Sequence, residues 1–290
     1  MKTFYFTFIE KRKIFYALSI ILLVASLGSL LIQGLNLGID FTGGTNLHIS
    51  IAKDVKTADV RSALEKTGHG GDQIQELQDG TFQIKTQFMK QDAQDQYVKA
   101  ISDKLGKTEV LQSTAVGPTI GQEILQKGLI ALFIAMVLMI VYITVRFEWR
   151  FALTGILSLF HDVFITIGLF SIFQWEVNST FVAAILTIFG YSINDTIVIF
   201  DRIRENLGRV KRQELGLVVN KSISATLRRS LVTSISTLLP LLAVFLFGGD
   251  TTRYFVLAMI IGITAGAYSS IGIAAPMWYD FSMASKNKRF

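Results

Sequence analysis

Gly190-Tyr191-Ser192-Ile193-Asn194-Asp195-Thr196-Ile197-Val198-Ile199-Phe200-Asp201 closes an otherwise apolar segment that begins at Asn178. A segment of this length reads as a helix crossing hydrocarbon, because about 20 residues rising 1.5 Å each span a bilayer core. Asp195 interrupts it. A carboxylate at that depth costs a few kcal/mol at least, so it persists where it pairs, takes up a proton or faces water. Asp195 sits six residues before Asp201, which puts it about 9 Å below the interface. Thr187, Tyr191, Asn194, Asp195 and Val198 follow i, i+3, i+4 spacing and make a mostly polar stripe. Gly190 and Ser192 leave room for a neighbouring helix. A purely structural reading stays open, with Asp195 hydrogen-bonded to Asn194 or to a hydroxyl on another span.

The whole chain agrees with a membrane setting. Of its 290 residues 51% are hydrophobic and 17% charged, and its mean hydropathy is +0.47; soluble domains carry about 25% charge. Uncharged runs at Ile14–Ile32, Gly128–Val145, Ser230–Phe247 and Tyr254–Tyr279 are long enough to span. Phe151–Phe173, broken by His161 and Asp162, and Asn178–Phe200, broken by Asp195, complete a set of six. Cysteine is absent, and no HExxH, Walker or Rossmann pattern occurs, so no disulfide, metal site, cofactor or nucleotide site is expected. With no nucleophile–base pair in sight, an enzyme is not expected either.

Charge sets the expected orientation. Lys2, Lys11, Arg12 and Lys13 precede the first span, Arg146 and Arg150 follow the second, and a basic run from Arg202 to Arg229 follows the fourth. Lys286, Lys288 and Arg289 close the chain, whereas the short loops at 174–177 and 248–253 hold only Arg253. The positive-inside rule then puts both termini in the cytoplasm. The expected organisation is a cytoplasmic N-terminus at 1–13, an uncleaved first helix at 14–32, an outer domain at 33–127, a five-helix region at 128–279 and a cytoplasmic tail at 280–290. Within it, the amphipathic loop 201–229 is expected on the cytoplasmic leaflet, through Leu207, Val210, Leu215 and Val218. Its basic charge suits anionic membrane lipid, and it lacks the aromatics for stacking nucleic-acid bases.

In the outer segment, Asn46–Ile51 alternates like a strand and Thr57–Thr67 has helical spacing. Gln73–Leu77 and Thr81–Phe88 flank a turn at Gln78-Asp79-Gly80, Asp92–Leu105 is helical, and Thr108–Thr114 reads as a last strand. The order βαββαβ predicts a small ferredoxin-like α+β domain.

Two more features bear on chemistry. Arg228 and Arg229 stand at the mouth of the fifth span. Arg228 reads as an interfacial anchor, and Arg229 reaches the depth of Asp195 if its helix starts near Ile223. His161 and Asp162 fall near mid-membrane. Adjacent residues point about 100° apart on a helix, so either one serves the fourth or fifth span while the other meets a partner subunit, or the two form a His–Asp pair that fixes packing. The sixth span is rich in small residues from Gly262 to Ala274, which predicts close helix packing. Pro240 is expected to kink or loosen the fifth.

Several motifs now combine. Leu37-Gly38-Ile39-Asp40-Phe41-Thr42-Gly43-Gly44 lies just after the first span, and His161-Asp162-Val163 in the third. The Gly190–Asp201 run continues as Arg202-Ile203-Arg204-Glu205. Thr226-Leu227-Arg228-Arg229-Ser230-Leu231-Val232-Thr233-Ser234 opens the fifth, and Phe247-Gly248-Gly249 closes it. Together these resemble the SecD–SecF protein-export family, and the six-span layout resembles its SecF half over nearly the whole chain. The resemblance implies half of a resistance–nodulation–division transporter: a six-helix bundle with a small α+β outer domain, in the bacterial inner membrane. It implies SecD as partner, work at the Sec channel on a translocating preprotein, and use of the proton-motive force. Asp195 takes the position of the family's proton-relay carboxylate, with Asn194 beside it, and Arg229 that of its basic partner. Gly38, Asp40, Gly43 and Gly44 correspond to the join between first span and outer domain. A second intramembrane Asp is expected on SecD. A small-molecule or lipid exporter, or an uncoupled assembly factor, would be the rival functions.

Overall fold

The computed structural model describes residues 6–52, 55–65, 68–77, 80–208 and 211–284. It divides into two compact units, Leu37–Leu129 and the remainder.

The Leu37–Leu129 unit holds the outer domain. Its strands are β1 (Gly44–Ile51), β2 (Gln73–Glu76), β3 (Phe82–Thr86) and β4 (Thr108–Val116), and its helices α1 (Thr57–Glu65) and α2 (Gln91–Leu105). All pairings are antiparallel and the sheet order is β2-β3-β1-β4. The βαββαβ chain order with β1 central is the ferredoxin-like arrangement. Alternation does the folding. Leu47, Ile49 and Ile51 of β1 and Phe82 and Ile84 of β3 point to one face, where Val60 and Leu64 of α1 and Tyr97 and Ile101 of α2 cover them. Tyr97 donates to Asp72 at 2.8 Å; burial and that bond push the phenol up. Residues 78 and 79 of the expected turn lie outside the described residues.

The other unit is helical. Among the described residues of the chain, six helices are long and apolar enough to cross a membrane: Arg12–Ile32, Pro118–Arg146, which begins in the Leu37–Leu129 unit, Trp149–Ile172, Ser179–Leu207, Arg212–Phe247 and Thr252–Ala284. Most run past their uncharged cores, because helical hydrogen bonding continues into the interface where polar side chains are solvated. Spans three, four and six form the centre, with 56%, 50% and 56% of their apolar stretches buried, against 11%, 6% and 11% for spans one, two and five. The helix of span five runs through Pro240.

The basic segment after span four is largely helical among the described residues, with Arg209 and Val210 outside them. The fourth helix continues to Leu207, a single turn covers Arg212–Glu214, and the fifth helix already begins at Leu215. Leu215, Val219 and Ile223 are wholly buried in a core with Ile9, Phe147, Phe151, Phe200, Ile203 and Trp278. Protein covers these three, whereas Leu207, Leu217 and Val218 keep part of their surface exposed. Charged groups tie this end together: Asp201 takes Arg146 at 2.9 Å and Arg204 at 2.8 Å, and Asp280 takes Arg12 at 2.9 Å. At the opposite end, Gln33 donates to the Ser171 carbonyl at 2.9 Å and Asn36 to that of Gln174 at 2.8 Å, linking spans one and three.

Candidate functional site

Span four carries a carboxylate side on each flank, and the two differ. Toward spans three and six, Asp162 is completely buried. Its Oδ2 accepts from Ser192 of span four at 2.5 Å and from Ser269 of span six at 2.7 Å. Its Oδ1 meets Nδ1 of His161 at 2.9 Å. His161 Nε2 in turn meets Ser19 of span one at 2.9 Å, Ser19 meets Tyr268 of span six at 3.1 Å, and Tyr268 donates to the Phe15 carbonyl at 2.7 Å. One connected network therefore joins spans one, three, four and six.

For His161 and Asp162 two readings were open, separate faces with one toward a partner subunit, or a His–Asp pair that fixes packing. Both are buried within this chain and bonded to each other. The 100° separation holds for their Cβ atoms, but the imidazole is long enough to fold back over its neighbour.

Toward span five, Asp195 is 5% exposed. The groups acting on it are Ser230 and Arg229 of that span. Among the described residues it makes no ion pair within 4 Å, and Ser230 Oγ is buried without a well-aligned hydrogen bond. Arg229 itself points to the exposed side of the bundle. The two charges thus sit at neighbouring positions without closing the direct pair that their depths suggest. Tyr191 bridges the same two spans by donating to the Thr233 carbonyl, 3.0 Å away, and it lies 3.0 Å from the Thr237 hydroxyl. Asn194 is exposed rather than bonded to Asp195, and Gly190 beside it has nothing within 4 Å of where a Cβ would be.

Sequence reasoning picked out both carboxylates but missed the hydroxyls that answer Asp162. Ser192 stood out only as a small residue, Ser269 as one of a small-residue run, and Ser19 and Tyr268 not at all. A usable signal existed: Ser192, Asp195 and Thr196 follow helical spacing, and Thr196 bonds to Ser270 at 2.8 Å. Span six can approach this closely because Gly266 faces span four; a Cβ there would lie 2.9 Å from that of Ser192. Just beyond, Ser270–Ala274 winds as a π-helix, a feature common at functional positions. No cluster of metal-ligating side chains occurs among the described residues.

Comparison with known proteins places the chain. Residues 96–284 match the family model for the C-terminal part of the protein export membrane proteins SecD/SecF, and residues 28–55 match the SecD/SecF GG motif. The protein translocase subunit SecF of Sebaldella termitidis is 38% identical over 276 residues, covering 93% of this chain and 90% of that protein. Its counterpart in Thermodesulfovibrio yellowstonii is 40% identical over 278 residues, covering 93% and 92%. The chain belongs to the SecF family. Of solved structures, the crystal structure of a Thermus SecDF, described as a translocon-associated membrane protein, superposes with a TM-score of 0.88 at 34% identity over 97% of this chain. A second SecDF structure, in a super-membrane-facing form, gives a TM-score of 0.72. SecDF is a longer chain, of which this SecF-family chain spans 39%.

The GG motif has a steric reason. Gly43-Gly44 is the one glycine pair within residues 28–55. Gly43 has φ +75°, and a Cβ on it would fall 2.7 Å from the Cα of Pro118, the first residue of the second span's helix. Gly121, one turn on, lies equally tight against Gly43 and Phe41. Gly38 opens the helical turn Ile39–Thr42, which includes Asp40 and leads into the pair. Only glycine satisfies both the left-handed backbone and the contact.

Proposed function

We propose that this chain is an auxiliary subunit of Sec-dependent protein translocation, a multi-pass protein of the bacterial inner membrane with both termini in the cytoplasm. It works with SecD at the Sec channel and uses the proton-motive force to promote preprotein release on the outer side. The reading rests on one observation: Asp195 is withdrawn from solvent inside a spanning helix, with Arg229 near but not bonded to it. A carboxylate with no committed partner is free to exchange a proton, and Arg229 is free to close on it when it ionises. The surface around it is open, with Thr187, Gly190, Asn194 and Arg229 all exposed, and this is where SecD, carrying its own intramembrane Asp, would complete the site. Protonation then decides whether spans four and five draw together, and the outer domain follows. One proton moving down 100 mV supplies about 2.3 kcal/mol, enough to bias a two-state element by more than tenfold.

The test is Asp195→Asn in cells relying on this chain. Force-dependent export is expected to be lost while the variant still co-purifies with SecD. Export at the parental rate would refute the coupling, and tolerance of alanine at both Asp195 and Arg229 would favour an assembly factor that does not couple to protons.

A further inference from the structure

The hydrogen-bond chain around His161 can be counted proton by proton. Four contacts run in series: Asp162 Oδ1 to His161 Nδ1, His161 Nε2 to Ser19 Oγ, Ser19 Oγ to Tyr268 Oη, and Tyr268 Oη to the Phe15 carbonyl. Each contact needs one proton lying in it. Ser19 and Tyr268 bring one apiece. The Phe15 carbonyl can only accept, so the Tyr268 proton is committed to it. Ser19 must then donate to Tyr268, and His161 Nε2 must donate to Ser19.

The His161–Asp162 pair therefore has to supply two protons, one on Nε2 and one shared between Nδ1 and Oδ1. A neutral imidazole beside a carboxylate supplies only one. If that proton sits on Nδ1, either Nε2 or Tyr268 faces Ser19 with no hydrogen between them. If it sits on Nε2, two acceptors meet at 2.9 Å. The other oxygen of Asp162 cannot help, because it already accepts from Ser192 and Ser269. Charge leads to the same count. With two protons the pair is neutral overall; with one it is an anion buried in hydrocarbon, which is costly. The groups facing the pair from the packed helices are Ser19, Ser192, Ser269 and Tyr268. No further charged side chain bonds to it among the described residues.

We infer that the His161–Asp162 pair is a second intramembrane proton-binding site, separate from Asp195, whose occupancy holds span one to spans three and six. Its release breaks the link at Ser19. Its Asp162 anchors the turn of span four at Ser192, three residues before Asp195. The site therefore lies alongside the proposed relay, and its existence does not depend on that relay.

The chain makes the test direct, because it has three histidines, and His48 and His69 lie in the Leu37–Leu129 unit. The full chain in lipid nanodiscs, labelled with ¹⁵N-histidine, is read by NMR across pH, with His48→Gln and His69→Gln assigning the other two signals. At neutral pH, His161 Nε2 is expected to carry a directly bonded proton. In Tyr268→Phe the Ser19 proton becomes free to serve Nε2, so a smaller fraction of His161 is expected to carry the Nε2 proton at neutral pH than in the parent. Ser19→Ala, which removes the acceptor of that proton, is expected to act in the same direction. A bare Nε2 in the parent at neutral pH, or an unchanged Nε2-protonated fraction in both variants, would overturn the inference. The same Nε2 proton is expected in Asp195→Asn whether or not that variant exports, and its disappearance there would refute a separate site.

Discussion

The two flanks of the fourth span show opposite ways of keeping a carboxylate inside a membrane. On the side of spans three and six, Asp162 is saturated: two hydroxyls and an imidazole meet it, and the helices around it are the most deeply buried in the bundle. On the side of span five, Asp195 is slightly less buried and makes no ion pair among the described residues, with Ser230 and Arg229 acting on it, and span five buries only 11% of its apolar stretch. The saturated group can give up its proton only by breaking a link between helices, whereas Asp195 has no ion pair to break. On the fourth span, Ser192 and Asp195 stand three residues apart, a little under one turn.

The strongest way to break the comparison is Asp162→Ala. It strands Ser192, Ser269 and His161 at once and is expected to cost about 3–5 kcal/mol, measured as a fall in the thermal unfolding midpoint in detergent; a loss under about 1 kcal/mol would show that the network is not structural. Gly266→Ala should follow, at about 1–3 kcal/mol, since the added methyl presses into Ser192 on the saturated flank. The matching change on the open flank, Gly190→Ala, meets nothing and is expected to be neutral or to gain up to about 1 kcal/mol from helix propensity. Equal losses from the two glycines would erase the distinction.

Tyr97 supplies an aqueous reference, because in the outer domain the same donor–acceptor pairing works beside water. Tyr97→Phe removes the bond to Asp72 and should cost about 1 kcal/mol, followed by hydrogen exchange in the full chain. The folded phenol titrates above its unfolded value. Its contribution is therefore complete below about pH 10 and fades as pH rises further, so the gap between parent and variant should close in alkali. A small effect is also expected from Asp195→Asn, under about 1 kcal/mol in the same unfolding assay, since no ion pair is lost with it and an amide can still meet Ser230.

Much of this was legible in the sequence. Hydropathy gives six spans because a run of 18 or more apolar residues has few other uses, and periods of 2 and 3.6 give the strands and helices of the outer domain. Asp195 stands out because charge is rare where it lies. The network around Asp162 was not legible for a physical reason. Serine and tyrosine cost little in a helix whether bonded or idle, so Ser19, Ser269 and Tyr268 carry no mark until the helices are brought together. The adjacent pair His161–Asp162 stayed open between pairing and separate faces because helical spacing fixes Cβ directions and says nothing of how far a ring can reach. The burial of Leu215 was not legible because an apolar stripe looks the same whether lipid or protein covers it.

The wide turn at Ser270–Ala274 sets the phase of the last helix. A single extra residue rotates everything after it by about 100°. Ser269 and Ser270 can then address Asp162 and Thr196 while Trp278, further along the same span, stacks on Phe151 at 4.5 Å. Removing one residue from that turn would keep the composition of the span intact and swing Trp278 off its aromatic seat, so the length of this segment is as constrained as any side chain in it.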